Sequence, residues 1–393
     1  MFRNKLLFLA SALTSLLLVS CSDDPSSIGA DLLNPDKVDI KEINSFDDSL
    51  SQFSKYFKRT IPLGSSSRLL IGKTDSLEAV SLIRFRFVSL AESLRTAIKN
   101  NNLTIASATV ELTQKYKFGS TSNSFDFSAH KINSKWTTVG FTEDSLSSLN
   151  YDPMDASSNK SITDTLITFS LDNQLVREWL LAEADTVIPI DQGIYLKSAS
   201  ALGIRGFQAA ASNNAEVPIL KVTVITASSD TAKLNFISIA DLSVVTGAIP
   251  NLNNQIVVQS GLISDAKLWC DVASLPSSAL INSATLTLTL DTLMTKTGTS
   301  FNNSIRVGFF KDSTNLAIDS ARTFTLTRDG NNFTGNITSF VQRWINGESN
   351  QGMLLWAAGQ LEGVERFVFF GSSYPDRSKQ PKLTITYTYK KSL

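Results

Sequence analysis

The sequence predicts an all-β protein carrying two copies of one domain behind a leader and a flexible stalk. Two observations predict the class. The first is strict apolar–polar alternation in Leu82-Ile83-Arg84-Phe85-Arg86-Phe87, Thr109-Val110-Glu111-Leu112, Thr285 to Leu290 and Leu383 to Tyr389. Successive strand side chains point to opposite faces, so this period marks half-buried strands. Turn-forming clusters such as Gly119 to Asn123 and Asp329-Gly330-Asn331-Asn332 separate such runs, and long helical periods are scarce. The second is self-similarity. Ile105-Ala106-Ser107-Ala108-Thr109-Val110-Glu111-Leu112-Thr113 recurs as Ile281-Asn282-Ser283-Ala284-Thr285-Leu286-Thr287-Leu288-Thr289, 176 positions on. Val176-x-x-Trp179 recurs at Val341-x-x-Trp344 (165 on), Gly193-Ile194-Tyr195-Leu196 at Gly352-Met353-Leu354-Leu355 (159), and Pro218-Ile219-Leu220 at Pro381-Lys382-Leu383 (163). Four ordered matches define a tandem duplication.

Composition narrows function. The 393 residues suit two domains or three. Lysine plus arginine is 36, as is aspartate plus glutamate, so no basic surplus exists to neutralise nucleic-acid phosphates. One histidine, His130, and two cysteines argue against transition-metal sites, which need clusters of such ligands, and against Ser/His/Asp or Cys/His hydrolysis.

In chain order, residues 1–20 read as a signal peptide: Arg3 and Lys5 precede an apolar run from Leu6 to Leu18, too short to span a bilayer comfortably. Leu18-Val19-Ser20-Cys21 resembles a bacterial lipobox, whose cysteine is acylated and becomes the mature N-terminus. Several acyl chains on Cys21 imply durable membrane attachment. Ser22, not aspartate, follows the cysteine, which favours the outer membrane, and Ser22-Asp23-Asp24 is similar to an acidic surface-export signal. Residues 21–60 read as a flexible acidic stalk: Ser22 to Leu50 holds eight acidic residues against two basic ones. Lipidation of Cys21 leaves Cys270, in the run Leu268-Trp269-Cys270, as a buried thiol.

The first domain is expected over 61–227 and the second over 228–393. The falling offset between repeats places eleven extra residues in the first, within Val139 to Thr163. Each repeat carries one short helix. Asp172 caps the first, with Leu175, Val176, Trp179 and Leu180 on one face. Thr338 caps the second, with Phe340, Val341, Trp344 and Ile345 on its face and Gly347 stopping it. Both tryptophans sit within apolar stripes and are core residues.

The order of these landmarks, from Leu69-Leu70-Ile71-Gly72-Lys73 through the Ile-x-Ser-Ala-Thr strand and Val-x-x-Trp to the closing Pro-x-Leu strand, resembles the DNRLRE-type domain. That family is related to disaggregatase-associated and alginate-binding carbohydrate-binding modules. The segment Ser26 to Leu33 is similar to the start of DUF4270-type surface lipoproteins. The resemblance implies two jelly-roll β-sandwiches and contact with extracellular polysaccharide or matrix.

The functional expectation is a non-catalytic envelope lipoprotein, surface-exposed at the outer membrane, whose sandwiches bind polysaccharide. The alternative is a structural or assembly component that binds an envelope protein. Sugar binding needs aromatic faces beside polar groups, which makes Tyr116 (between Lys115 and Lys117), Trp136, Tyr151 and Tyr374 the candidate residues. Carboxylate pairs such as Glu143 with Asp144, or Glu362 with Glu365, carry no hydrolase motif, and His130 reads as a strand residue. No cofactor is expected, and no metal beyond a structural Ca²⁺ that the sequence does not reveal.

Overall fold

The computed structural model describes residues 38–390, apart from 49, 88–89, 120–124, 186–191, 200–202, 213–214 and 228. The leader, Cys21 and the acidic export-like run lie outside the described residues. Two β-sandwiches make up the described residues, each packed around its own core.

The first sandwich uses β3 (Arg68–Lys73), β4 (Leu77–Phe85), β5 (Leu103–Gly119), β6 (Phe127–Lys131), β7 (Ser157–Ile162), β8 (Leu166–Leu171), β9 (Ile194–Ser198), β10 (Gly203–Gln208), β11 (Ile219–Thr226) and β12 (Thr231–Gly247). Two long strands turn its corners. β5 pairs with β11 and β8 through its first half and with β10 through its second. β12 pairs first with β11, then with β4. Alternate residues such as Leu69 and Ile71, Val110 and Leu112, and Ile167 and Phe169 fill the core between the layers.

The second sandwich repeats this layout with β13 (Gln255–Gln259), β14 (Ser264–Cys270), β15 (Leu280–Thr289), β16 (Ser304–Asp312), β17 (Ala317–Asp329), β18 (Asn332–Asn336), β19 (Met353–Ala357), β20 (Arg366–Phe370) and β21 (Lys382–Lys390). The pairings β3–β10, β4–β9, β5–β8, β5–β11 and β6–β9 recur as β13–β20, β14–β19, β15–β18, β15–β21 and β16–β19.

The closing strand breaks the simple tandem order. β1 (Val38–Asn44) runs antiparallel to β21 from Val38↔Lys390 to Asn44↔Thr384. β2 (Gln52–Lys58) runs antiparallel to β14 from Gln52↔Cys270 to Lys58↔Ser264. These are the places that the two halves of β12 take in the first sandwich. The segment expected to be stalk is therefore structured from Val38 onward, as the last strands of the second sandwich. A boundary at 227/228 likewise falls inside the β11–β12 hairpin, because β12 belongs to the first sandwich. The cause is backbone satisfaction: the β14 and β21 edges need partners, and residues 52–58 and 38–44 supply them.

The predicted helices are present as α2 (Asn173–Ala184) and α3 (Thr338–Ile345). Asp172 accepts the Leu175 N–H at 2.9 Å, as its capping role requires. Thr338 does not cap α3: its hydroxyl accepts the Ala284 N–H instead, and Ile337 holds the cap position. Trp179 and Trp344 are both buried. The first sandwich has one helix more than expected, α1 (Glu92–Lys99), held to α2 by Arg95, which donates to the Glu183 carboxylate at 3.1 Å.

Candidate functional site

The four aromatic residues singled out by sequence do not form a sugar-binding face. Tyr116 is buried, 1% exposed, in the seam between the sandwiches, where it packs with Leu70, Ile204 and Val245 of the first and Leu262 and Val364 of the second. Its alternation with Lys115 and Lys117 is real, but its face meets protein rather than water. The phenol oxygen accepts the Val364 N–H at 3.1 Å and lies beside the Glu365 carboxylate. Burial is the main cause that pushes both Tyr116 and Glu365 above their ordinary pKa values. The ring lies against Gly298, where an added Cβ would come within 2.5 Å of it.

Trp136 is also buried, and its indole N–H donates to the Gln192 carbonyl at 2.6 Å. Together with Phe141, Leu146, Leu149 and half-buried Tyr151 it covers Val80, Leu82, Leu242 and Val244 on the outer face of β4 and β12. The extra length of the first repeat thus forms an apolar cover. His130 belongs beneath the same cover, 5.4 Å from the Tyr151 ring, with its ring nitrogens bonded to the Ser128 hydroxyl and the Asp152 and Met154 carbonyls. Tyr374 is half-buried in a turn of the second sandwich, 4.4 Å from Phe370. Only Trp136 and Tyr151 come together, and as packing.

The carboxylates are likewise engaged. Glu143 pairs with Lys58. Glu362 accepts the Ser67 hydroxyl at 2.9 Å, and its carbonyl takes Arg68 at 2.7 Å. Within the second sandwich, fully buried Asp265 binds Arg59 at 2.6 Å and Gln360 at 2.6 Å, yet burial raises its pKa to about 6. Cys270 is fully buried, which pushes its thiol up to about 12.

The seam leaves an open cleft of about 460 Å³ on one side, lined by residues of both sandwiches. The loop after β15 builds one wall. Asp291 fixes that loop by accepting the Leu293 N–H and the Gln255 amide, and Thr299 ladders onto Lys117 of β5 through bonds of 2.8 and 2.9 Å. Between these anchors Lys296 and Arg366 form a two-way backbone bridge (2.9 and 2.8 Å). Residues directly opposite on antiparallel strands project to the same side, so two cations stand together, an arrangement that costs stability without a counter-charge. No ion pair joins either to a carboxylate among the described residues. Arg366 donates to the Met294 carbonyl at 3.2 Å, and burial lowers its pKa.

The first sandwich contributes Thr74, Asp75, Ser76 and Leu77 from the β3–β4 turn, and Phe118 and Gly119 from the end of β5. Gln259 completes the lining; it is 3% exposed and its Oε1 has no hydrogen-bond partner. Sequence reasoning missed this set because its members are scattered from Thr74 to Arg366 and share no motif. A half-buried aromatic ring, two cations, the Asp75 carboxylate, an amide and hydroxyls line the cleft.

No protein-family profile matches the chain, and no curated protein does. Among solved structures, the C-terminal domain of the Streptococcus agalactiae AgI/II polypeptide BspA matches over 87% of this chain and 92% of its own. Identity is 10% and the TM-score is 0.18.

Proposed function

We propose that this protein is a non-catalytic lipoprotein of the bacterial envelope that binds acidic polysaccharide in the cleft between its two sandwiches. Cys21 is its expected anchor, and the outer membrane, facing outward, its expected location. The cross-strand pair Lys296 and Arg366 is the observation that carries the ligand class. Guanidinium and ammonium groups bind carboxylates through charge-assisted hydrogen bonds. Phe118 offers an apolar ring to a sugar face, and Gln259 and the Thr74–Ser76 turn offer polar partners for hydroxyls. An open cleft accepts an internal stretch of polymer, whereas an enclosed pocket takes only chain ends.

The chain is near neutral overall, so the cleft rather than a global field must provide the attraction. Affinity electrophoresis through a polyuronate and through a neutral glucan tests the reading. Expected is retardation by the polyuronate that weakens with salt, and at least a tenfold loss of affinity in the Lys296→Ala/Arg366→Ala protein. Equal retardation of the double variant, or no binding across a broad panel, rejects it.

A further inference from the structure

Residues 38–58 occupy in the second sandwich the slot that β12 fills in the first, but the two are joined to their partners differently. β12 follows β11 through a hairpin, so its first half pairs locally and carries the second half to β4. β1 and β2 reach β21 and β14 from the opposite end of the chain. What holds them lies almost wholly in the second sandwich. Ile43 and Tyr56 pack on its core. The Tyr56 hydroxyl donates to the Pro250 carbonyl at 2.9 Å and accepts the Leu252 N–H at 2.8 Å. Ser45, buried, bonds the Pro381 carbonyl and the Leu383 N–H, and the Ser54 and Ser372 hydroxyls meet at 3.1 Å. Towards the first sandwich the segment makes the partly exposed Lys58–Glu143 ion pair.

The link between the two bodies is short. Arg59 is fastened to the second by its N–H on the Ile263 carbonyl (2.9 Å) and by Asp265, and Leu63 to the first by its N–H on the Phe141 carbonyl (2.8 Å). Thr60, Ile61 and Pro62 span the gap, with Pro62 exposed.

We propose that this closing strand is transferable between molecules: residues 38–58 of one copy fill the β14–β21 slot of a second copy, reciprocally, giving a strand-exchanged dimer. The dimer keeps every strand contact of the monomer and changes only the hinge, where Ile61 packs on the outer cluster of the first sandwich, and that is the condition under which exchange is cheap. A distant strand also closes its sandwich late in folding, because loop closure precedes the contacts that reward it, so a neighbouring copy competes for the open slot.

The test uses full-length chains in a Cys21→Ser background, one carrying Ser54→Cys and the other Ser372→Cys, unfolded together and refolded over a range of concentrations. The expected result is a disulfide-linked heterodimer whose yield rises with concentration. A chain carrying both substitutions serves as control: it must close its disulfide within one molecule at low concentration. If that control cross-links internally while the mixture stays unlinked at every concentration, the strand does not transfer and the proposal fails.

Discussion

The two sandwiches share a strand plan but differ in how their last strand is supplied and what lies over it. Matching registers place Asp241, Leu242, Ser243 and Val244 of β12 where Ser54, Lys55, Tyr56 and Phe57 of β2 stand. In the first sandwich the outward pair Leu242 and Val244 is buried beneath the Trp136 loop, so β12 is buried on both faces. The second sandwich has a tight β16–β17 hairpin at that position, and its closing strand carries Lys55 and half-exposed Phe53 outward. A covered strand reads as core, whereas an uncovered one reads as a polar tether although it pairs just as fully.

The largest expected effect breaks this contrast at equivalent positions. Leu242→Asp places an unpaired carboxylate under the cover and costs about 4 kcal/mol or more, enough to unfold the first sandwich. Lys55→Asp, its counterpart, stays within about 0.5 kcal/mol. Thermal melts of the two variants compare them directly.

Next in size, Trp136→Ala removes the centre of the cover and its bond to Gln192, costing about 3 kcal/mol. Its affinity for polyuronate stays that of the unaltered protein, because the indole packs inside the cover and is absent from the cleft lining. A polysaccharide-binding loss without a stability loss reverses that assignment.

A pH effect sharpens the comparison further, since Asp241 stands where the second sandwich has Ser54. Asp241 is buried, accepts the Ala210 N–H and the Ser238 hydroxyl, and has its pKa raised to about 6 by burial. A carboxyl with a raised folded pKa stabilises most below its unfolded value, near 4. That contribution disappears as pH climbs to about 6, by up to about 3 kcal/mol at about 1.4 kcal/mol per unit. Stability of the first sandwich therefore declines across this window, and Asp241→Asn flattens the decline in melts recorded from pH 4 to 7.

Much of the fold was legible because it rests on local patterns. Alternation marked β5, β15 and β21, and the apolar stripes around Trp179 and Trp344 marked both helices. The closing strand of the second sandwich was not, because acidic residues surround it and Asn44 to Ser51 interrupts its alternation. One signal was available: Ile61-Pro62 recurs as Ile249-Pro250, 188 positions on, directly after each closing strand. The site was less legible. A lysine-flanked Tyr116 and a loop tryptophan carry the same local pattern whether they meet solvent or protein. Only tertiary packing sends them into the seam and under the cover, and only the bridge between Lys296 and Arg366 assembles the cleft.

Segment-resolved hydrogen exchange of the native chain tests the central claim, that residues 38–58 close the second sandwich, most directly. Amides of 52–58 that pair with β14 are predicted to be protected to the same extent as those of 264–270 and to open with them as one unit. Complete exchange of 38–58 within the first time point, while 264–270 stays protected, contradicts the account and returns the segment to the role of a tether.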